Sequence, residues 1–308
     1  MSNITKGIYI SLATAVISGV SIFVNKFAVD AIKPALYFTS IKNVAVAILI
    51  VAIVLATGEW KKIAKLTKKE LRYLLLIGLI GGSLPFYLYF SGLSQTPAVN
   101  AAIIHKTLVF WVMLMAIPFL KEKVSKWQLL GVFMLFAGNV FVGGFKGFKF
   151  SQSELMLLVA TVLWAVENII AKKVLTTVSP NIVTAFRMGL GSVVLMSATI
   201  ITVPQVLQKS LALSSEQFFF MGLTVLFLLA YTTTWYRALK HAPAVVVTTV
   251  LVSSTLVTNV LSAVFVTHSW NAVLTVQAIL IISGLVLFSR NTAVKANIAG
   301  NSTLQVTT

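Results

Sequence analysis

Residues Pro97–Lys123 read PAVNAAIIHKTLVFWVMLMAIPFLKEK, an apolar run that ends in a basic cluster and holds His105 and Lys106 near its middle. Roughly 20 residues at about 1.5 Å each cover a hydrocarbon core of about 30 Å, so the run is long enough to span a membrane. A lysine at that depth costs about 2.5–3.5 kcal/mol on insertion scales, which directs it to a protein interior or a watery cavity rather than to lipid. The rest of the chain has the same character. Of 308 residues, 58% are hydrophobic and 10% are charged, against about 25% charged in soluble domains. Mean hydropathy is +0.96. Apolar runs broken by charge, Pro and Gly recur at 5–27, 36–57, 71–92, 97–120, 126–143, 153–175, 181–203, 216–240, 243–267 and 271–290. This pattern reads as an all-α membrane protein of ten transmembrane helices. The basic Met1–Lys6 and the Ala13-Thr14-Ala15 triplet imitate a signal peptide, but the first run continues past them and has a partner later in the chain, so it is read as a span.

The formal charge of +17 would suggest nucleic acid in a soluble chain; here its placement sets orientation. With the N-terminus cytoplasmic, the inward segments hold sixteen Lys and Arg, six of them between Lys61 and Arg72, and the outward segments hold only Lys33, Lys146, Lys149 and Lys209. The positive-inside rule then places both termini in the cytoplasm, and the 61–72 loop is a topology signal before it is a lipid or nucleic-acid site. No nucleic-acid partner is expected. Cys is absent, and three scattered His with seven acidic residues form no ligand cluster. Neither a metal nor a cofactor is therefore expected.

An internal repeat carries the most information. A shift of 146 lays Tyr87–Val142 over Thr233–Phe288 without a gap, with GLSQTPAV at Gly92–Val99 over ALKHAPAV at Ala238–Val245. Pro34 falls on Pro180, Lys26 on Lys172 and, after a slip of one residue, Lys42 on Arg187. Five spans per repeat is an odd number, so the second copy should cross the membrane upside down relative to the first, an inverted-repeat architecture with a midplane site between the halves. The expected domains are 5–143 and 153–290, joined by a linker at 144–152 and followed by a disordered cytoplasmic tail at 291–308.

The stretch Tyr236-Arg237-Ala238-Leu239-Lys240-His241-Ala242-Pro243-Ala244 resembles the start of the ninth span in the drug/metabolite transporter superfamily, specifically in its EamA-type domains. Phe119–Lys123, then Trp127-Gln128-Leu129-Leu130-Gly131 and Ala137-Gly138, resemble that family's end of span four and its span five. Ala185-Phe186-Arg187 is similar to its span-seven opening, and Trp164, Asn168 and Lys172 to its span six. The resemblance covers essentially all of 5–290. It implies the ten-helix transporter fold, with amino-acid and metabolite exporters as precedents and phosphorylated-sugar exchangers as more distant relatives. The second half departs from the pattern where His268 stands against Glu122.

Candidate site residues are the polar groups inside spans. Lys106 and Glu167 are central in spans four and six, and the simplest expectation is that these two costly charges pair in the empty site. Trp164 and Asn168 share a helical face with Glu167, and Ser18, Ser21 and Asn25 form the matching face of span one. These two faces would line one cavity or serve as helix-packing hydrogen bonds. Lys42 and Arg187 lie about 9 Å inside their spans, within snorkelling reach of an interface or on the transport path. His105 lies about 100° round the helix from Lys106, and Thr255 and Tyr231 belong to a polar stripe on span nine and an aromatic face on span eight. For Trp235 and Tyr236 an interfacial aromatic belt is an equal reading.

Nothing in the chain resembles a phosphate-cradling loop for nucleotide hydrolysis, so the expected function is secondary transport across the cytoplasmic membrane by alternating access. Intramembrane cations outnumber acids, which favours a small-molecule substrate bearing a carboxylate, an amino acid foremost, with protons as candidate coupling ions. The alternatives are a phosphorylated-metabolite or organic-anion exchanger, a channel-like or non-transporting membrane protein, and an intramembrane enzyme. The last would need an acid–base constellation, and only Lys106, His105 and Glu167 are present, with no motif around them. No enzymatic activity is expected.

Overall fold

Lipid offers no partners to backbone N–H and C=O groups, so each apolar run must satisfy them within itself. The computed structural model describes residues 2–93, 95–140, 147–205 and 213–304, and among them it has helices and no strands; the side chains of Asp30, Ala98, Val99 and 290–304 lie outside that description. The first half contains α1 (Asn3–Ala31), α2 (Ala35–Ala56), the short α3 (Trp60–Ile63), α4 (Lys68–Gly82), α5 (Leu84–Leu93), α6 (Ala98–Lys106), α7 (Leu108–Leu120) and α8 (Lys126–Val140). The second contains α9 (Gln152–Val174), α10 (Pro180–Thr202), α11 (Ser215–His241), α12 (Ala244–Val252), α13 (Ser254–Ser262), a π-helical turn at Ala263–Thr267 and α14 (Ala272–Leu304).

Among the described residues, nine helical stretches are long and apolar enough to cross a membrane. The fifth expected span is α8, which reaches Val140, and the remainder of that run, like most of the expected linker, lies outside the described residues. At the other end of the chain the helical backbone of α14 continues to Leu304, past the boundary at 290 drawn from hydropathy. Hydropathy ends where charge begins, whereas Ala293, Lys295 and Ala296 are good helix formers and propagate an existing helix.

Three spans are interrupted. Span three breaks at Ser83, φ −130° and ψ −77°, just before Pro85. Span four breaks at Thr107 and span nine at Ser253, which occupy the same position in the 146-residue shift. In both, a hydroxyl donates to the carbonyl three residues back, Thr107 to Ile104 at 2.6 Å and Ser253 to Val250 at 2.6 Å. Such back-bonding competes with the helical ladder and bends it.

The halves interdigitate. α1 packs along α11, α9 along α4 and α5, α2 along α10, and α8 along α14. At the end of the bundle that carries α3 and the loops at 121–125 and 175–179, here the basic end, one continuous apolar core joins α4, α7, α9, α11 and α12. At the opposite end the core is divided: Ala28, Ile32, Phe38 and Val225 belong to one cluster, and Ala101, Ile104 and Leu157 to another. Spans four and nine follow the same split, because their basic-end parts α7 and α12 pack together while α6 packs on α9 and α13 packs on α1. The apolar core is therefore continuous at the basic end and divided at the other, called here the cleft end.

Candidate functional site

Pro85 has no N–H to return to the carbonyl four residues earlier, so the Gly81 carbonyl loses its helical partner. Two side chains from the second half take it, Trp164 Nε1 at 3.1 Å and Arg187 Nη2 at 3.3 Å. Only glycine allows this approach, since a Cβ on residue 81 would stand 2.5 Å from Glu167 Cγ and 3.4 Å from Arg187 Nε. α4, α9 and α10 thus converge on one backbone group. α11 closes the arrangement: Tyr236 Oη donates to Glu167 Oε1 at 2.6 Å, and the Arg187 guanidinium lies 5.8 Å from the centroid of the Tyr236 ring. Trp235 Nε1 donates to Asn168 Oδ1 at 3.1 Å, and Asn168 Nδ2 donates to the Trp164 carbonyl at 2.9 Å. All six side chains are buried, and Arg187 Nε has no hydrogen-bond partner.

Lys106 lies where the two parts of spans four and nine meet. Its Nζ donates to Ser254 Oγ at 3.2 Å, joining the last residue of α6 to the first of α13 where both spans are interrupted. A cavity of about 20 Å³ beside it is lined by His105, Lys106, Val109, Thr248 and Val252 among others. That is room for about one water. His105 stands edge-on to Trp164, with ring centroids 5.2 Å apart, and lies 5.6 Å from Tyr89, so an aromatic wall links the lysine to the Glu167 network.

A second network lies toward the cleft end. Lys42 Nζ donates to Asn25 Oδ1 at 2.9 Å and sits 4.6 Å from the centroid of the Phe38 ring. Asn25 Nδ2 donates to the Ser21 carbonyl at 2.7 Å and to Ser21 Oγ at 3.1 Å. Ser21 and Lys42 are the repeat counterparts of Glu167 and Arg187, so the two halves place cation-centred networks at matched positions.

Several expectations change. Glu167 does not pair with Lys106; it bonds Tyr236 beside Arg187, and Lys106 turns to Ser254. Depth along a span is common to both charges, but the direction each side chain takes is set by which helices pack around it. Trp235 and Tyr236 are not an interfacial belt, being 2% and 0% exposed and bonded inside the core. The faces of spans one and six engage separate networks, Asn25 with Lys42 and Asn168 with Trp235. Ser18 is half-buried, Thr255 bonds the Val252 carbonyl of its own span at 3.3 Å, and Tyr231 stacks on Trp235 at 5.9 Å. The Gly81 carbonyl, Ser254 and the functional burial of Tyr236 escaped the sequence reading. Pro85 at four residues from Gly81, and Thr107 aligned on Ser253, were the available signals.

Four acids outside this site staple the fold. Glu59 accepts from Ser179 and, at 2.8 Å, from Asn181; Glu70 accepts from Thr177 at 2.5 Å; Glu154 accepts from Asn100 at 2.8 Å. Glu122 accepts from the amides of Ala244 and Val245 at 2.6 and 3.0 Å. In the interior of the described spans three cations, Lys42, Lys106 and Arg187, thus stand against one carboxylate, Glu167.

The EamA-like transporter family model matches residues 5–144 and 152–290. A Bacillus subtilis protein named an uncharacterized transporter, YyaM, is 26% identical over 204 residues, 63% of this chain and 65% of its own length. An uncharacterized transporter of Archaeoglobus fulgidus is 29% identical over 143 residues, 44% of this chain and 49% of its own length. The chain therefore spans about half to two thirds of these relatives. A crystal structure superposes with a TM-score of 0.76 at 17% identity, covering 92% of this chain and 98% of that one, and shares the fold. Two family matches, one on each half, close the identification: the chain belongs to the EamA-like transporter family, within the drug/metabolite transporter superfamily, and is a multi-pass membrane protein.

Proposed function

We propose that the protein is a secondary transporter of a small carboxylate-bearing metabolite, an amino acid or related organic acid, working by alternating access between two inverted halves in the cytoplasmic membrane. The observation that carries this reading is the position of Lys106. It stands where two interrupted spans meet, and its ammonium, with three donors, bonds Ser254 through one of them. Discontinuous spans meeting at mid-depth are a recurrent form of transporter site. Three cations, Lys42, Lys106 and Arg187, against one carboxylate, Glu167, in the interior of the described spans support an anionic group on the cargo, and the aromatic wall of His105, Trp164 and Tyr89 suits an organic body. Protons are the coupling ions of this reading, with Glu167 as the group that takes one up. The matched interruptions at Thr107 and Ser253 support inverted halves, and the charge count supports cytoplasmic termini.

A thermal-shift panel of amino acids, organic acids and sugar phosphates tests the substrate class, because a ligand that binds only the folded state raises its apparent stability. Lys106→Met is then expected to fold and to lose at least tenfold in affinity for the ligand found, while Glu167→Gln binds with its pH dependence removed. Normal affinity in well-folded Lys106→Met would end the role of this lysine as anion anchor. A sugar phosphate as the winning ligand would turn the reading to an exchanger, and absence of counterflow in proteoliposomes would turn it to a channel.

A further inference from the structure

Lys172, near the end of α9, donates to the carbonyls of Leu239 at 2.5 Å and Ala242 at 2.7 Å. The Leu239 carbonyl is available because the residue four places on is Pro243, which has no N–H. Glu122 completes the junction by taking the first two amides of α12. The basic end is thus held shut by two latches, a lysine on the end of span eight and a carboxylate on the start of span nine. Both have positional counterparts at the cleft end. A shift of 146 carries Lys172 to Lys26, Leu239 and Ala242 to Leu93 and Thr96, and Glu122 to His268. Pro97 creates the same orphan at Leu93, whose carbonyl receives a long 3.4 Å bond from the Thr96 amide. Thr96 Oγ1 is buried with no hydrogen-bond partner, and Lys26 and His268 are exposed.

From these matched but unequal ends we infer that Lys26 is the latch of the cleft end, which binds the Leu93 and Thr96 carbonyls when Lys172 releases Leu239 and Ala242. The inference rests on the alternating-access reading and assigns the residues that exchange in it. His268 cannot span two amides as the Glu122 carboxylate does, so the cleft end has one latch against two. The bonds of Lys172 and Glu122 accordingly hold the basic end together in this structure.

Spin-label distances in the full chain, which has no Cys, provide the test. One pair, Ile22→Cys with Ala102→Cys, reports the cleft end; another, Thr176→Cys with Lys240→Cys, reports the basic end; all four positions are exposed. Lys172→Met is expected to add a second population, longer at the basic end and shorter at the cleft end. Adding Lys26→Met should remove that population, and Lys26→Arg, which keeps the donors, should retain it. If Lys172→Met does not fold, Glu122→Gln loosens the same end through the other latch. A second population that persists undiminished after Lys26→Met overturns the assignment and leaves alternating access standing. No second population in either loosened variant overturns both.

Discussion

Tyr236→Phe isolates one bond at the centre of the network. The substitution keeps the ring, which is fully buried and faces Arg187, and removes only the hydroxyl that donates to Glu167 Oε1 at 2.6 Å. That length is typical of a charge-assisted O–H···O bond. Hydrogen bonds to charged groups are worth about 1.5–3 kcal/mol, and the acceptor left behind is 1% exposed, so no water replaces the lost donor. The cost should therefore fall in the upper part of the range, about 2–3 kcal/mol. Glu167→Gln leaves Tyr236 an acceptor but removes the carboxylate charge that acts on the buried Arg187, and leaving a buried charge uncompensated costs about 3–5 kcal/mol. The two losses share an interaction and must not add; the double variant should be more stable than their sum by at least about 1 kcal/mol. Reversible unfolding of the four proteins in mixed detergent, followed by tryptophan fluorescence, measures all the terms. A Tyr236→Phe cost below about 0.5 kcal/mol, or simple additivity, would refute the claim that this bond holds α9 to α11.

Gly81→Ala should destabilise by about 1–3 kcal/mol, because the new methyl would stand 2.5 Å from Glu167 Cγ and must displace the carboxylate or the helix; wild-type stability in the same unfolding assay would show that the contact yields freely. Orientation is checked with Lys149→Cys, expected to react with an impermeant thiol reagent in intact cells while tags at both termini stay protected from outside protease. The opposite accessibility would invert the topology drawn from the charges.

Among the described residues hydropathy was sufficient for the helices and for nine of the ten expected spans, and the 146-residue shift for the two repeats, since lipid leaves the backbone few alternatives. Depth was legible too: Lys106, Glu167 and Arg187 are all inside spans as their positions require. The angular part was not. Glu167 lies on a helix that packs against α4 and α5 on one side and meets α11 on another, and only packing decides which neighbour it meets. Interruptions at Thr107 and Ser253 were hidden for a different reason, because a Thr or Ser inside an apolar run is also compatible with an unbroken helix. Their alignment on one another was the one trace the sequence carried.

The two halves agree in backbone and differ in chemistry, and the differences lie where function would require them. Both copies break span four or nine at the same place, both place a cation in span two or seven, and both have a proline just after span three or eight, Pro97 and Pro243. Yet Glu167 faces Ser21 across the repeat, Glu122 faces His268, and Pro85 faces Tyr231. A fold that closes alternately at two ends needs matched backbones so that either end can close. It also needs unequal side chains, because identical networks would give both closed states equal energy and bind cargo alike in each. A ligand shifts such an equilibrium only through its different affinity for the two states. Of these differences the Glu122 latch falls at the basic end, and on the proposed alternating-access reading that makes it the end whose opening a cargo has to favour.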